Sequence, residues 1–277
     1  MADKSGVSWT DSSYNHWLGC TKVSSGCKWC YAESLMVDTY KKIEWGPTAR
    51  RQLTSEHNRS QPLRWNDQLF TECVVCGWRG RYPNKTRRCV ECNKEMLSRN
   101  PARRRVFAHS MSDVFEPRTD LVKWQSDLFE LWKATDRLDW LVLTKRPEHL
   151  LYLTPDGGYP ANVAMGVSVE DQEWAEKRIP KLLQCNSPVK FISVEPMLGP
   201  VDLREWLPSL SWVICGAESG SKRRPFSIEA ALDLQGQCQR AKVPFFMKQG
   251  SAFAPGQQAG IPDDLWSYKQ FPNFGGS

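Results

Sequence analysis

From residue 105 onward the chain alternates short apolar runs with helix-like stretches, and this rhythm restricts the fold more than any other feature. The runs are "RVFAHS" (105–110), "DWLVLT" (139–144), "NVAMGVSV" (162–169), "VKFISVEP" (189–196), "SWVICGAES" (211–219) and "VPFFMKQG" (243–250). Each is mostly apolar and rich in β-branched or aromatic residues, the composition of strands buried on both faces. Helical candidates lie between them: "DLVKWQSDLFELWKAT" (120–135), "EDQEWAEKRIPKLLQ" (170–184) and "SIEAALDLQGQCQRA" (227–241). Strand–helix alternation at this spacing implies right-handed crossovers and a parallel sheet. Six or seven such units predict an α/β chain built on a partial or complete parallel (β/α) barrel.

The ends of the runs carry chemistry. They finish in Ser110 and Asp113, in Thr144, Lys145 and Arg146, in Ser168 and Glu170, in Glu195, in Glu218 and Ser219, and in Lys248 and Gln249. A single polar strand end means only that the strand has reached solvent. Six of them on parallel strands predict one shared mouth, where barrels hold their sites.

The 277 residues suffice for one large domain with an insert. The expected parts are an N-terminal piece of the barrel (1–70), an insertion (71–98) and the remainder of the barrel (99–277). The opening "MADKSGVSWTDSS" has no apolar stretch of the kind that marks export, and no run approaches the length of a membrane span. Ten cysteines in such a chain suggest a reducing cytoplasm and metal use. The formal charge of +6 falls to about +3 if seven thiolates hold a four-iron cluster (about −1) and a zinc ion (about −2). Global charge therefore selects no partner.

The insertion reads Cys73-x2-Cys76, twelve residues, then Cys89-x2-Cys92. Each pair can form a knuckle presenting two thiolates, and the spacing lets two knuckles meet around one tetrahedral zinc. Gly77 suits the tight turn after Cys76. Such a site is closed, so its role is to fold a zinc-ribbon-like segment too small for its own core. Arg79, Arg81, Lys85, Arg87 and Arg88 could meet a phosphate backbone there, or simply face solvent.

Cys20, Cys27 and Cys30 form a different set, with six residues in the first gap and two in the second. Three thiolates leave one coordination position open, as in a catalytic zinc or a four-iron cluster with one free iron. His16 offers the sober alternative, a structural Cys3His site. Cys185, Cys215 and Cys238 lie in apolar or helical stretches and read as core thiols.

The C-x6-C-x2-C loop, with Trp29 before Cys30 and "YAES" after it, resembles the cluster loop of a radical S-adenosylmethionine (SAM) enzyme. That superfamily usually has three residues in the first gap, where this chain has six. Together with "LTKRPEHL", "SVEPMLGPVDL", "WVICGAESG" and "PFFMKQG", the loop resembles a phage-encoded branch with the longer spacing, over nearly the whole chain apart from the insertion. The resemblance implies a partial barrel with a [4Fe-4S] cluster on Cys20, Cys27 and Cys30 and SAM on the remaining iron. An external electron donor would reduce the cluster, and a 5′-deoxyadenosyl radical would take hydrogen from substrate. Trp29 and Tyr31 would shield the cluster. By analogy of position, Ser168, Glu195, Gly216 and Glu218 would contact SAM, although Glu195 and Glu218 could equally pair with a Lys or Arg.

Thirteen tryptophans, several beside basic residues (Lys28-Trp29, Arg64-Trp65, Trp78-Arg79), suit stacked bases and phosphates, although most tryptophans in an α/β protein are core. The resemblance points to phage thymidine hypermodification: a radical isomerase converting an N-linked glycyl group on the thymidine methyl carbon to a Cα-linked one, on DNA or a modified nucleotide, in the host-cell cytoplasm. A radical lyase acting on a nucleic-acid lesion, and a nonenzymatic nucleic-acid-binding protein with two zinc sites, are the competing readings.

Overall fold

The computed structural model describes residues 3–81, 88–95, 100–154 and 158–274. Seven strands form one sheet: β1 (Ser12–Tyr14), β2 (Arg104–Ala108), β3 (Leu138–Thr144), β4 (Val163–Ser168), β5 (Val189–Val194), β6 (Trp212–Gly216) and β7 (Phe245–Gln249). They lie in chain order, every neighbouring pair is parallel, and the sheet curls into a half-barrel. All six apolar runs are strands. β1 was not anticipated, because "SSY" is short and polar. It survives as an edge strand in register with Val106–Ala108, its Ser12 hydroxyl donating to the Asp3 carbonyl at 2.7 Å. Pairing on one side only is enough to hold so short a strand.

The three predicted helices are present as α1 (Val122–Ala134), α2 (Gln172–Leu183) and α3 (Ile228–Ala241). Asp171 caps α2 by accepting from the Trp174 N–H at 3.1 Å, and Ser227 caps α3 from the Ala230 N–H at 3.1 Å. These bonds satisfy donors that a helix start leaves free. Leu128 and Trp132 of α1, Ile179 and Leu182 of α2, and Leu234 of α3 bury themselves in the main core with Val142, Val167, Val194 and Cys215 of the sheet.

Strand residues of the other parity face away from the helices. Phe107, Leu141, Ala164, Phe191, Trp212 and Phe246 form a second apolar cluster, closed by Trp9 with Phe271 against it. This cluster is the floor of the half-barrel. Continuing in steps of two along the same faces leads to Lys145, Ser168, Glu195, Gly216 and Lys248. Period-two alternation therefore carries the interior from an aromatic floor to a polar rim.

The link from β1 to β2 holds both cysteine regions. Phe70–Glu72 pairs antiparallel with Arg79–Arg81 and with Asn100–Pro101, giving a small separate sheet around residues 73–92. Among the described residues, no helix is long and apolar enough to cross a membrane.

Candidate active site

A cavity of about 190 Å³ opens at the carboxyl ends of the strands. Cys20, Cys27 and Cys30 line it, together with Ser110, Asp113, Thr144, Lys145, Arg146, Ser168, Glu195, Glu218, Ser219, Lys248 and Gln249. The shared mouth expected from six polar strand ends is thus present. Glu170 is the exception, since it is fully buried beneath the cysteine loop.

The six-residue gap after Cys20 is folded onto the barrel rim. Arg146 donates from Nη2 to the Thr21 carbonyl at 2.6 Å, and Arg51 from Nη2 to Thr21 Oγ1 at 2.8 Å. The Ser24 hydroxyl donates to Glu170 Oε1 at 2.6 Å, and Arg224 Nη1 to the Ser25 carbonyl at 3.0 Å. A Cβ on Gly26 would come within 2.3 Å of Glu170 Oε1, so the loop can lie this close only with glycine there. Ser25–Cys27 then forms a 3-10 turn that brings Cys27 and Cys30 to the cavity. The longer gap is a braced loop: Arg146, Glu170 and Arg224 follow barrel strands far away in sequence, and Arg51 comes from the link between β1 and β2.

Buried charge holds those braces. Arg51 grips Glu116 with Nε at 2.7 Å and Nη2 at 2.6 Å. Arg146 binds Asp113 at 2.9 Å and points the same Nη1 at Cys20 Sγ, 3.6 Å away. Burial alone would raise the Asp113 carboxyl, but Arg146 and hydrogen bonds from Thr144, Phe115 and Lys145 hold it below the usual range. Burial, with Asp113 nearby, pushes the Cys20 thiol up to about 12 despite Arg146. Burial likewise raises Cys30. Without metal these thiols keep their protons, and a metal centre would displace them. His109, also on the cavity, is held neutral by burial.

Of the residues expected to meet a cofactor, Trp29, Ser168, Glu195 and Glu218 line the cavity. Glu195 is paired with Lys248, and Glu218 with Arg224 at 2.7 Å. Gly216 is not part of the lining. A Cβ there would lie 3.4 Å from both Glu195 Cγ and Lys248 Cβ, so Gly216 sits behind that ion pair. Tyr31 lines the cavity and donates to the Ser110 carbonyl at 2.9 Å. His16 is no fourth ligand: it is buried, its Nδ1 lies 2.7 Å from the Tyr14 hydroxyl, and it does not line the cavity. Cys185, Cys215 and Cys238 are core thiols, as read from the sequence.

Among the described residues, only Cys73, Cys76, Cys89 and Cys92 gather three or more possible metal ligands with all donor atoms within 4.8 Å of one another. The Cys73–Cys92 and Cys76–Cys89 sulfurs are 3.8 and 3.7 Å apart. A tetrahedron of thiolates with Zn–S bonds of about 2.3 Å has edges of about 3.8 Å. Two matching knuckles build it. Gly77 N–H donates to the Cys73 carbonyl at 2.8 Å and Asn93 N–H to the Cys89 carbonyl at 3.0 Å, and both residues have positive φ (69° and 54°). Gly77 was legible as a knuckle residue; Asn93, which tolerates the same region, was not. Backbone N–H groups of Cys76 and Val75 hold the Cys73 thiol down at about 7. These four cysteines can hold a metal ion.

The cavity triplet differs in setting: Cys20, Cys27 and Cys30 line one cavity at the strand ends instead of forming a compact four-cysteine group.

The basic cluster of the insertion is only partly available. Arg79 is committed to Asp11, Glu72 and the Arg103 carbonyl, which removes it from any phosphate contact. Arg81 is exposed, Arg88 donates to the Asn93 carbonyl at 3.1 Å, and Lys85 and Arg87 lie outside the described residues. Trp65 is core and Trp78 packs against the cysteines, so of the three Trp–basic pairs only Trp29 faces the cavity. A groove the sequence did not suggest runs beside the cavity and shares Val23 and Lys145 with it. Trp174, Lys177 and Lys181 of α2 line it, with Glu148 and Glu176.

A family model described as "Protein of unknown function (DUF5131)" matches residues 4–264. No curated protein matches the chain, and no solved structure does.

Proposed function

The chain therefore belongs to the DUF5131 family, and we propose that it is a radical SAM enzyme holding a [4Fe-4S] cluster on Cys20, Cys27 and Cys30. One observation carries this reading: three cysteines line the same cavity as the polar rim of a parallel half-barrel. When bound, the cluster and SAM supply one-electron chemistry that removes a hydrogen atom from an unactivated carbon. The protein supplies position. Arg146 steadies Cys20 by donating to its sulfur, Glu170 and Arg224 hold the loop in place, and Trp29 lines the same cavity. The Glu195–Lys248 and Glu218–Arg224 pairs give the rim polar groups whose charges already cancel, so they can orient ligand hydroxyls and amines without adding net charge.

We assign the substrate as a thymidine carrying an N-linked glycyl group on its methyl carbon, and the product as the Cα-linked isomer. The balance is simple: the C–N bond to the thymidine methylene breaks, a C–C bond to the glycyl Cα forms, and one hydrogen moves from Cα to nitrogen. No net oxidant is consumed. In the groove beside the mouth Lys177 is paired with Glu173 and sits with Arg178 over the Trp174 ring, which leaves Lys181 as the α2 lysine there that could meet a phosphate. The Cys73–Cys92 site is assigned as structural zinc.

Anaerobic reconstitution with iron, sulfide and reductant tests the core of this reading: the protein forms 5′-deoxyadenosine from SAM, and absence of that product overturns it. Incubation with glycyl-modified thymidine then yields a nucleoside of unchanged mass and altered retention. Recovery of the N-linked form alone removes the isomerase assignment.

A further inference from the structure

The carboxylates lining the cavity are all matched: Asp113 by Arg146, Glu195 by Lys248 and Glu218 by Arg224. At its lip the balance tips the other way. Lys28, Lys222 and Arg223 are exposed, and among the described residues none of them has a carboxylate within ion-pair distance. Two of them meet on one ring. The Lys28 ammonium lies 5.3 Å and the Lys222 ammonium 4.6 Å from the centre of the Trp29 indole, which lines the cavity and is 37% exposed. Lys28 belongs to the cysteine loop and Lys222 to the loop after β6. Arg224 ties these loops together by donating to the Ser25 carbonyl at 3.0 Å, so the fold itself brings the two ammoniums to the same ring. Arg223 spends one N–H on the Gly220 carbonyl at 3.0 Å and keeps donors for a ligand. A ring face is a weak partner for an exposed ammonium, and like charges gathered around it repel one another until an anion arrives. Phosphates spaced along a strand supply such an anion. The mouth beside them is concave, so a base enters it only out of the stack, as a single strand allows.

We propose that Lys28, Lys222 and Arg223 form a phosphate-binding lip that holds single-stranded DNA while one of its bases enters the cavity, so that the substrate is the polymer and not the free nucleoside. The inference rests on the reading of the substrate as a modified thymidine, but its test needs neither a cluster nor turnover. Labelled oligothymidylate is titrated with the full chain as isolated, over a range of salt, and thymidine is offered as competitor. The oligonucleotide binds, and thymidine at the same nucleotide concentration does not displace it. Three phosphate contacts to a single strand make that affinity fall roughly twentyfold between about 50 and 200 mM salt. Lys28→Gln, Lys222→Gln and Arg223→Gln each reduce the log–log salt slope by about 0.7, while Lys181→Gln, in the groove along α2, leaves it unchanged. A slope that drops in fewer than two of the three lip variants, or a loss confined to Lys181→Gln, overturns the proposal. Displacement by thymidine overturns it too, as does tighter binding of duplex DNA or of oligouridylate than of oligothymidylate. Unchanged melting temperatures of the variants keep a folding defect apart from a binding defect. Formation of 5′-deoxyadenosine is read separately on the reconstituted protein. Its absence breaks the functional reading while the salt slopes still decide the lip, and unchanged slopes in an active enzyme break the lip alone.

Discussion

The insertion at Cys73–Cys92 and the loop at Cys20–Cys30 use the same side chain and build opposite kinds of site. In the insertion each knuckle is closed by its own backbone, with Cys73 N–H on the Trp78 carbonyl at 2.8 Å and Cys89 N–H on the Lys94 carbonyl at 2.9 Å. Its four sulfurs complete a tetrahedron and leave no position for a ligand. In the loop the partners come from across the fold: Arg146 lies 126 residues from Cys20, Glu170 146 from Ser24, and Arg224 199 from Ser25. Three sulfurs face a cavity instead of a fourth ligand. A site held by its neighbours in sequence can serve only local folding, whereas a site held by the barrel rim inherits whatever the rim can bind.

The largest test of that contrast exchanges damage between the two regions. Cys30→Ala abolishes 5′-deoxyadenosine formation and loses bound iron, while zinc content stays at one per chain. Cys73→Ser does the reverse, losing zinc and retaining cluster absorbance. Metal analysis of each variant decides it, and parallel loss of both metals in either one would remove the distinction. Next in size is zinc chelation. Because a segment this small has little core of its own, hydrogen-exchange protection around residues 70–95 collapses on removal of the ion, while β2 to β7 keep theirs. The readout is peptide-level exchange with and without chelator.

The sequence showed the barrel side of this contrast better than the braces. Strands buried on two faces announce themselves as apolar runs, and their polar ends mark the rim; six of seven strands and the mouth were legible for that reason. β1 was not, because three residues reading "SSY" have no periodicity to detect. Cys73, Cys76, Cys89 and Cys92 were legible because paired-cysteine knuckles are local. Arg51, Glu116 and Arg224 were not, and Arg146 was read only as a polar strand end, since each braces through a partner brought near only by folding and a single sequence carries no trace of that pairing. Arg79 shows the converse error. It looked like a free surface cation and is tied to Asp11 and Glu72.

Removing one brace should hurt the loop and spare the insertion. Glu116→Ala leaves the Arg51 guanidinium buried without its carboxylate, a loss on the order of 3–5 kcal/mol for a buried pair. Denaturant melts measure it, and zinc content remains that of the wild type. A loss within about 0.5 kcal/mol, the level of an ordinary surface substitution, would mean that the loop is not supported from below.

Acid provides the gentlest discrimination, through His16, buried beside Tyr14 and His109. Burial, reinforced by Arg59, lowers its pKa from 6.5 to about 4. Above 6.5 the ring is neutral whether the chain is folded or not, so it contributes no pH dependence there. Between 6.5 and about 4 the unfolded chain takes up a proton that the folded chain refuses, and stability falls as pH falls. His109, lowered for the same first reason, adds to the slope. For His16 alone the full drop is about 3 kcal/mol at 1.36 kcal/mol per pKa unit. Urea melts of metal-free protein at pH 7, 5.5 and 4.5 should therefore weaken progressively, and His16→Gln, which can still accept from the Tyr14 hydroxyl, should flatten part of the trend. Metal-free protein is the right sample because a bound metal adds its own pH dependence through its thiolate ligands. An equal slope in the variant would place the proton uptake elsewhere.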